Sequence, residues 1–306
     1  MNILVSGSHG LIGSALVPAL AARGHRIVRL VRERDSRLPD EVAWDPASGR
    51  IDAAALEEVE AAVHLAGANI GARRWTVARK ALIRESRVGG TRLLADTLAR
   101  LRRKPQVLVC ASATGYYGSR GEEILVEEST PGTGFLAEVC RDWEGAAAPA
   151  RDAGIRVAHL RSGIVLSPSG GALAALLPIF RMGLGGALGS GRQFMSWITL
   201  HEEVEAIIHV LSQEAVRGPV NLVSPNPVTN REFTATLGRV LRRPALLPVP
   251  GPALWIGLGE VAGELLGSQR VHPARLLAAG YAFRYPDLET GLRTVLEPSA
   301  ATRIRA

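Results

Sequence analysis

The chain opens Met1-Asn2-Ile3-Leu4-Val5-Ser6-Gly7-Ser8-His9-Gly10-Leu11-Ile12-Gly13, and this stretch decides the fold. Residues 3–5 are a short apolar run that reads as a buried strand. Gly7, Gly10 and Gly13 follow at three-residue spacing. A helical pattern then begins, with Leu11, Ala15, Leu16, Ala19 and Leu20 on one face. Strand, glycine turn and helix, in that order, make the context of a dinucleotide site. A residue without Cβ lets the backbone turn sharply and lets a pyrophosphate approach the chain. The free N–H groups and the positive dipole end of the helix then face the phosphates. Gly13 lets the helix pack closely on the strand.

The rest of the chain repeats the alternation. Residues 26–31 form a second strand, followed at once by Arg32-Glu33-Arg34-Asp35. The residue ending this strand meets the adenosine ribose: an acidic group bonds a free 2′-hydroxyl, whereas an arginine accommodates a 2′-phosphate. Arg32 holds that position, with Arg34 and Arg37 close by and Glu33 and Asp35 opposing them, so NADP(H) is expected over NAD(H). Residues 42–44 and 50–51 suggest a small hairpin around Ser48-Gly49. A helix at 53–60 leads into a third core strand, 61–67, ending in small residues. Residues 76–100 are a long helix, 107–111 a strand that ends in Ser112-Ala113-Thr114-Gly115-Tyr116-Tyr117-Gly118, 134–148 a helix, and 157–160 a strand. Such alternation implies an α/β fold, a Rossmann-type doubly wound parallel sheet covered on both faces.

After residue 166 the pattern changes. Residues 167–192 are glycine-rich and loosely helical, 194–199 strand-like, 201–211 helical and 220–223 a strand; Thr229 or Asn230 caps a further helix. A proline-rich connector at 244–252, two more helices and the aromatic stretch Tyr281-Ala282-Phe283-Arg284-Tyr285-Pro286 follow. The domain reading is an NADP-binding Rossmann domain over 1–166, to which 194–224 return. A smaller, substrate-side C-terminal α/β lobe takes 167–193 and 225–297, and residues 298–306 are expected to be a disordered tail.

Composition bounds the function. With 306 residues, 47% of them hydrophobic and 21% charged, the chain is globular. The net charge of +7 comes mostly from arginines spread along the chain beside Asp or Glu, which speaks against a nucleic-acid surface. Cys110 and Cys140, the two cysteines, supply neither a disulfide framework nor a metal set, which fits a reducing cytosol. The first strand starts at residue 3, so no targeting peptide is expected. The longest apolar stretches are broken by Arg181 or by Glu260 and Glu264, so none is expected to span a membrane. The expected location is cytoplasmic.

With these residues in view, the chain resembles the extended short-chain dehydrogenase/reductase superfamily, in its sugar-nucleotide epimerase/dehydratase branch, whose Gly-x-x-Gly-x-x-Gly spacing matches Gly7, Gly10 and Gly13. Within it the chain is similar to an atypical group, epimerase-family proteins of uncertain substrate. The supporting blocks include Leu65-Ala66-Gly67-Ala68-Asn69-Ile70, Arg73-Arg74-Trp75, Ser86-Arg87, Thr114-Gly115-Tyr116-Tyr117-Gly118, Trp143-Glu144, residues 160–166, and the group-specific block from Gln269-Arg270-Val271 to Tyr285-Pro286. The resemblance implies cofactor contacts at Gly7, Gly10, Leu11, Ile12, Gly13, Arg32, Leu65, Ala66 and Arg87, with Ser112 and Val165 on the nicotinamide side. It also implies a homodimer formed through the helices at 76–100 and 134–148.

One departure bears on the reaction. The superfamily uses a serine, a tyrosine and a lysine four residues on, which share one helix face. Anchored on Trp143-Glu144, the lysine position is Cys140 and the tyrosine position Leu136. Anchored on Tyr117-Gly118, the serine position is Ala113, between Ser112 and Thr114. The standard triad is absent. Tyr116, Tyr117 and Ser112, at the carboxyl end of a core strand, are the candidate replacements, with Glu138, Arg141 and His201 on nearby segments. The first functional reading is an NADP(H)-binding oxidoreductase-like protein that moves a hydride to or from a small carbonyl or sugar-like substrate. The second is a non-catalytic, NADPH-sensing regulatory or interaction protein.

Overall fold

The computed structural model describes residues 1–32 and 40–297. The tail at 298–306, and Glu33, Arg34, Asp35 and Arg37, lie outside the described residues. The strands are β1 (Asn2–Ser6), β2 (Arg26–Val31), β3 (Glu41–Asp45), β4 (Arg50–Ile51), β5 (Ala61–His64), β6 (Val107–Ala113), β7 (Ile124–Leu125), β8 (Arg156–Ser162), β9 (Ile164–Leu166), β10 (Phe194–Met195), β11 (Trp197–Thr199), β12 (Gly218–Leu222), β13 (Val228–Thr229) and β14 (Arg270–Val271). The helices are α1 (Leu11–Ala22), α2 (Val77–Arg100), α3 (Phe135–Gly145), α4 (Ala148–Asp152), α5 (Gly171–Arg181), α6 (Leu200–Ser212), α7 (Asn230–Leu241), α8 (Gly251–Leu258), α9 (Val261–Leu266), α10 (Ala274–Ala278) and α11 (Leu288–Leu296).

Eight strands form the main sheet in the order β12-β8-β6-β5-β1-β2-β3-β4. All neighbours are parallel except β3 and β4. The chain winds outward from β1 through β2 and β3, then returns to β5 and winds the other way. The strand order therefore reverses between β1 and β5, and such a switch point opens a ligand crevice at the carboxyl ends of the strands.

Both faces of the sheet are covered, which is why its strands are nearly continuous apolar runs. Alternate residues go to opposite layers. Ile3, Val5, Val63, Val109 and Leu160 pack with Leu16 and Leu20 of α1 and Val204, Ile207 and Val210 of α6. Leu4, Ala62, Leu108 and Val157 pack with Leu94 and Leu98 of α2 and Ala150 of α4. A third cluster joins Leu173, Leu177 and Phe180 of α5 to Phe233 and Leu237 of α7, Leu288 and Leu292 of α11, and Trp197. Thr229 starts α7 with a capping box closed by Glu232.

The block after residue 267 is stitched to the sheet layers. The Ser268 hydroxyl donates to Gly121 O and accepts from the Phe194 N–H, and β14 pairs with β7. Leu276 and Tyr281 join the layer of α1 and α6.

Several local expectations change. The hairpin at β3 and β4 forms, and β3 also pairs with β2, so it extends the main sheet. The helix expected at 53–60 is one 3-10 turn, Ala54–Leu56. Residue 60 already bonds Asn2 O and Gln106 N in the sheet ladder, so the chain must be extended there, and too few residues remain for a helical nucleus. The strand at 194–199 is split at Ser196, whose hydroxyl donates to Gln269 O and accepts from the Val271 N–H. The helix at 134–148 ends at Gly145, and four short helices, not two, follow residue 250. Among the described residues no helix is long and apolar enough to cross a membrane.

Candidate functional site

The glycine turn joins β1 to α1 at the crevice. Gly7 has φ +68°, and a Cβ there would lie 2.8 Å from the Leu65 carbonyl carbon and 2.9 Å from Ala66 N. A Cβ on Gly13 would lie 2.2 Å from Gly7 O. Only glycine permits both approaches. The Gly10 N–H closes the turn on Gly7 O at 2.9 Å. Gly10 is also the N-cap of α1 and brings no side-chain cap, so the first-turn N–H groups at Leu11, Ile12 and Gly13 are presented to the crevice. An anionic pyrophosphate fits this cradle; a bulkier turn would fill it.

The other residues named from the sequence gather around this point. Leu65 and Ala66 follow β5 directly against Gly7. Ile12, Leu65 and Val165 pack on one cluster. Gly170 at the start of α5 comes down on Leu11, where a Cβ would meet it at 3.1 Å. Arg87 on α2 reaches the same loop: its Nη1 donates to Ala68 O at 3.0 Å and Ile83 O at 3.2 Å, and its guanidinium lies 5.0 Å from the Trp143 ring centroid. It pairs with neither Glu85 nor Asp96. Arg32 is exposed at the end of β2 with no ion pair among the described residues.

At the carboxyl ends of β6 and β8 lies a polar network. Ser112 Oγ donates to Glu144 Oε1 at 2.7 Å. Arg161, opposite Ser112 in the ladder, holds both carboxylate oxygens of Glu144 at 2.8 and 2.9 Å. Its Nη1 donates to the Tyr117 hydroxyl at 2.9 Å, and that hydroxyl donates to Asn221 Oδ1 at 2.7 Å. Tyr117 is fully buried, and burial pushes its phenol up to about 12. Tyr116 differs: it is half-buried, its ring lies 3.5 Å from the Arg161 guanidinium, and its hydroxyl has no intramolecular hydrogen bond among the described residues.

The α3 positions that the resemblance assigns to tyrosine and lysine carry Leu136 and Cys140, which pack on Gly115. A Cβ on Gly115 would touch Leu136 Cβ at 3.3 Å and Cys140 Sγ at 3.8 Å. Burial and then the Glu144 charge push the Cys140 thiol up to about 12, which makes it a poor nucleophile. Of the further candidates, Glu138 pairs with Arg84 at 3.4 Å and the His201 ring meets Tyr285 edge-on, centroids 5.8 Å apart; Arg141 lies 4.0 Å from Asp142. Reading the sequence passed over Asn221 and Glu127, and used Glu144 only as an anchor. They sit in separate segments, and only the fold brings them to Arg161.

Glu203, in the first turn of α6, was also missed. It is fully buried; its Oε1 bonds Ser162 Oγ at 2.5 Å and its Oε2 has no partner. Burial pushes its carboxyl from 4.5 up to about 8. The folded state then keeps a proton that the unfolded chain releases. The stabilisation is complete below about pH 4.5 and is lost as pH rises to about 8. His64 works the other way, because burial lowers its imidazole to about 4 and stability falls as pH drops below 6.5. Glu203→Gln is expected to be more stable than wild type at pH 8, by an amount on the order of a few kcal/mol, with the difference shrinking toward pH 5. Thermal unfolding of both proteins from pH 5 to 8.5 measures this; parallel curves would refute the assignment.

The sequence profile of the NAD dependent epimerase/dehydratase family matches residues 3–222, and a domain of unknown function, DUF1731, matches residues 249–295. An epimerase family protein of Mycobacterium tuberculosis is 45% identical over 291 residues, which are 95% of this chain and 96% of that protein. The crystal structure of human epimerase family protein SDR39U1, solved with NADPH, superposes with a TM-score of 0.88 at 35% identity, covering 96% of this chain and 99% of that one. The UDP-glucose 4-epimerase of Thermus thermophilus superposes at 0.72 with 21% identity, covering 96% and 97%, a likeness of fold alone.

Proposed function

The chain belongs to the NAD dependent epimerase/dehydratase family, and on that footing we propose that it is an NADP(H)-dependent oxidoreductase acting on a small carbonyl or carbinol substrate. The observation that carries the reading is the glycine cradle at Gly7 and Gly13, open to the crevice beside Leu65 and Ala66. The human relative crystallised with NADPH supports the choice of cofactor. Bound there, a nicotinamide supplies or accepts a hydride. The first turn of α1 would hold the pyrophosphate, Val165 would flank the nicotinamide side, and Arg87 would lie beside the loop after β5. Tyr116, whose hydroxyl has no partner among the described residues, would exchange the substrate proton. Ser112, already donating to Glu144, would offer its oxygen as an acceptor.

Arg32 sets the cofactor preference in this reading. A guanidinium offers paired donors to a phosphate. The wild-type protein is expected to bind NADPH more tightly than NADH. Arg32→Ala should lose about ten- to a hundredfold in NADPH affinity, the equivalent of one charge-assisted hydrogen bond of roughly 1.5–3 kcal/mol. NADH binding should stay unchanged, and Arg32→Asp should reverse the preference. Calorimetric titration decides it: equal wild-type affinities for the two cofactors would remove Arg32 from the site.

The apolar pair Leu136 and Cys140 favours the second reading, an NADPH-sensing protein without turnover. A panel of aldehydes, ketones and sugar nucleotides tested with NADPH separates the two, since the sensor binds the cofactor and oxidises none of it.

A further inference from the structure

We infer that Arg50 is a second cation for the ribose 2′-phosphate, which makes the hairpin of β3 and β4 a cofactor-specificity element; the inference rests on the reading that Arg32 meets that phosphate. The topology places the two arginines together. β2 and β3 are parallel neighbours, with Val31 opposite Ala43, so their carboxyl ends finish side by side. Arg32 is the next residue after β2. β3 ends at Asp45, the chain reverses through Gly49 at φ +69°, and Arg50 returns opposite Asp45. Arg32 and Arg50 thereby line one cleft of about 620 Å³ at the carboxyl edge of the sheet, walled by Trp44 and Ile51.

Two guanidiniums and two carboxylates among the described residues line the cleft, and the guanidiniums hold the freer hydrogen-bonding groups. A ribose phosphate is close to a dianion near neutral pH, and one guanidinium leaves part of that charge unmatched. Among the described residues, the cations lining the cleft are Arg32 and Arg50. Arg50 is lightly held: Nε donates to Ser48 Oγ at 2.9 Å, and Nη2 reaches Asp45 Oδ2 only at 3.4 Å. Its side chain is 80% exposed, so turning toward a ligand breaks little. The cleft also carries Asp45 and Asp52. Asp45 is turned into its own loop, accepting from Ser48 Oγ at 2.6 Å and Ala47 N at 3.1 Å, and Asp52 accepts from Ala55 N at 3.3 Å. Both Asp45 oxygens and one Asp52 oxygen accept from the hairpin and the following turn, while Arg50 keeps donors to spare.

The test is calorimetric titration of NADPH and NADH into wild type, Arg50→Ala, Arg50→Lys, Arg32→Ala and the double alanine variant, at low and high salt. Arg50→Ala should weaken NADPH by about three- to tenfold, less than Arg32→Ala because the site is exposed, and should leave NADH unchanged. Arg50→Lys should retain part of the affinity, and the salt dependence of NADPH binding should flatten in the alanine variants. An Arg50→Ala protein that binds NADPH like wild type, while Arg32→Ala loses its preference, would overturn the inference and leave the cofactor reading intact. Equal weakening of NADPH and NADH would also overturn it, by making Arg50 a support for the adenosine half. A wild type without preference would sink both.

Discussion

Tyr116→Phe is expected to lower turnover by about a hundred- to ten-thousandfold, the usual worth of a positioned general acid or base, and to leave NADPH affinity unchanged. The two adjacent tyrosines are set apart by their hydroxyls. That of Tyr117 is fully buried and bonded on both sides, to Asn221 and Arg161. That of Tyr116 has no partner among the described residues, and its ring lies 3.5 Å from the guanidinium. A proton donor must reach substrate, and burial keeps the Tyr117 phenol protonated up to about 12. Tyr117→Phe therefore makes the control. It strands Asn221 Oδ1 and one Arg161 donor, at about 1–3 kcal/mol of stability, with turnover retained. Once a substrate has been found by screening with NADPH, single-turnover rates of both variants decide the matter. A Tyr116→Phe enzyme as fast as wild type would end the assignment.

Glu202→Ala should be strongly destabilising, although it lies outside the crevice. Glu202 is the N3 residue of α6 and is buried to 2% exposure. Its carboxylate gathers the aromatic C-terminal stretch: Oε2 accepts from the Tyr281 hydroxyl, and Oε1 accepts from the backbone N–H of Arg284 at 2.6 Å and of Tyr285 at 2.8 Å. Tyr281 in turn packs in the layer of α1 and α6 and meets Phe283 edge-on at 4.9 Å. Truncation to alanine leaves the Arg284 and Tyr285 N–H groups without their acceptor, and the Tyr281 hydroxyl with only the residue 202 carbonyl at 3.3 Å. At about 1–3 kcal/mol for each stranded group, with partial relaxation, the expected loss is roughly 3–5 kcal/mol. For a chain of this size that lowers the melting temperature by on the order of 10 °C. Glu202→Gln, which keeps an acceptor oxygen, should recover part of the loss. Differential scanning calorimetry of the two variants reads it out, and an alanine variant that melts like wild type would show that the stretch is held by its rings alone.

The sequence determined the main architecture because its signals are local. Residues 2–6 and 26–31 are apolar runs bounded by turns, and Gly7, Gly10 and Gly13 are spaced for one sharp turn; the parallel core of the sheet follows from that repeated alternation, whereas the hairpin of β3 and β4 joins it only in the structure. Counting from Trp143-Glu144 puts Leu136 and Cys140 where the resemblance expects tyrosine and lysine, and that reading needs the sequence alone. What local pattern misjudged were segments whose conformation is set from outside. Residues 53–60 have helical composition, yet the ladder bonds of residue 60 to Asn2 and Gln106 pull them extended. Ser196 interrupts a strand because its hydroxyl serves Gln269 and Val271, more than seventy residues on.

Only the tertiary structure could rank the site residues. Tyr116 and Tyr117 are chemically equal in the sequence; what separates them is whether Asn221, over a hundred residues away, takes the hydroxyl. Arg50 reads as a hairpin arginine until the parallel pairing of β2 with β3 sets it in the cleft of Arg32. Glu203 is one of two adjacent glutamates, and its elevated carboxyl exists because α6 lies against β8 with a single serine for a partner. Backbone conformation is chosen largely by neighbours along the chain, so it can be read there. Desolvation and hydrogen-bond partnership depend on what the folded chain brings within a few ångströms, and no local pattern carries that.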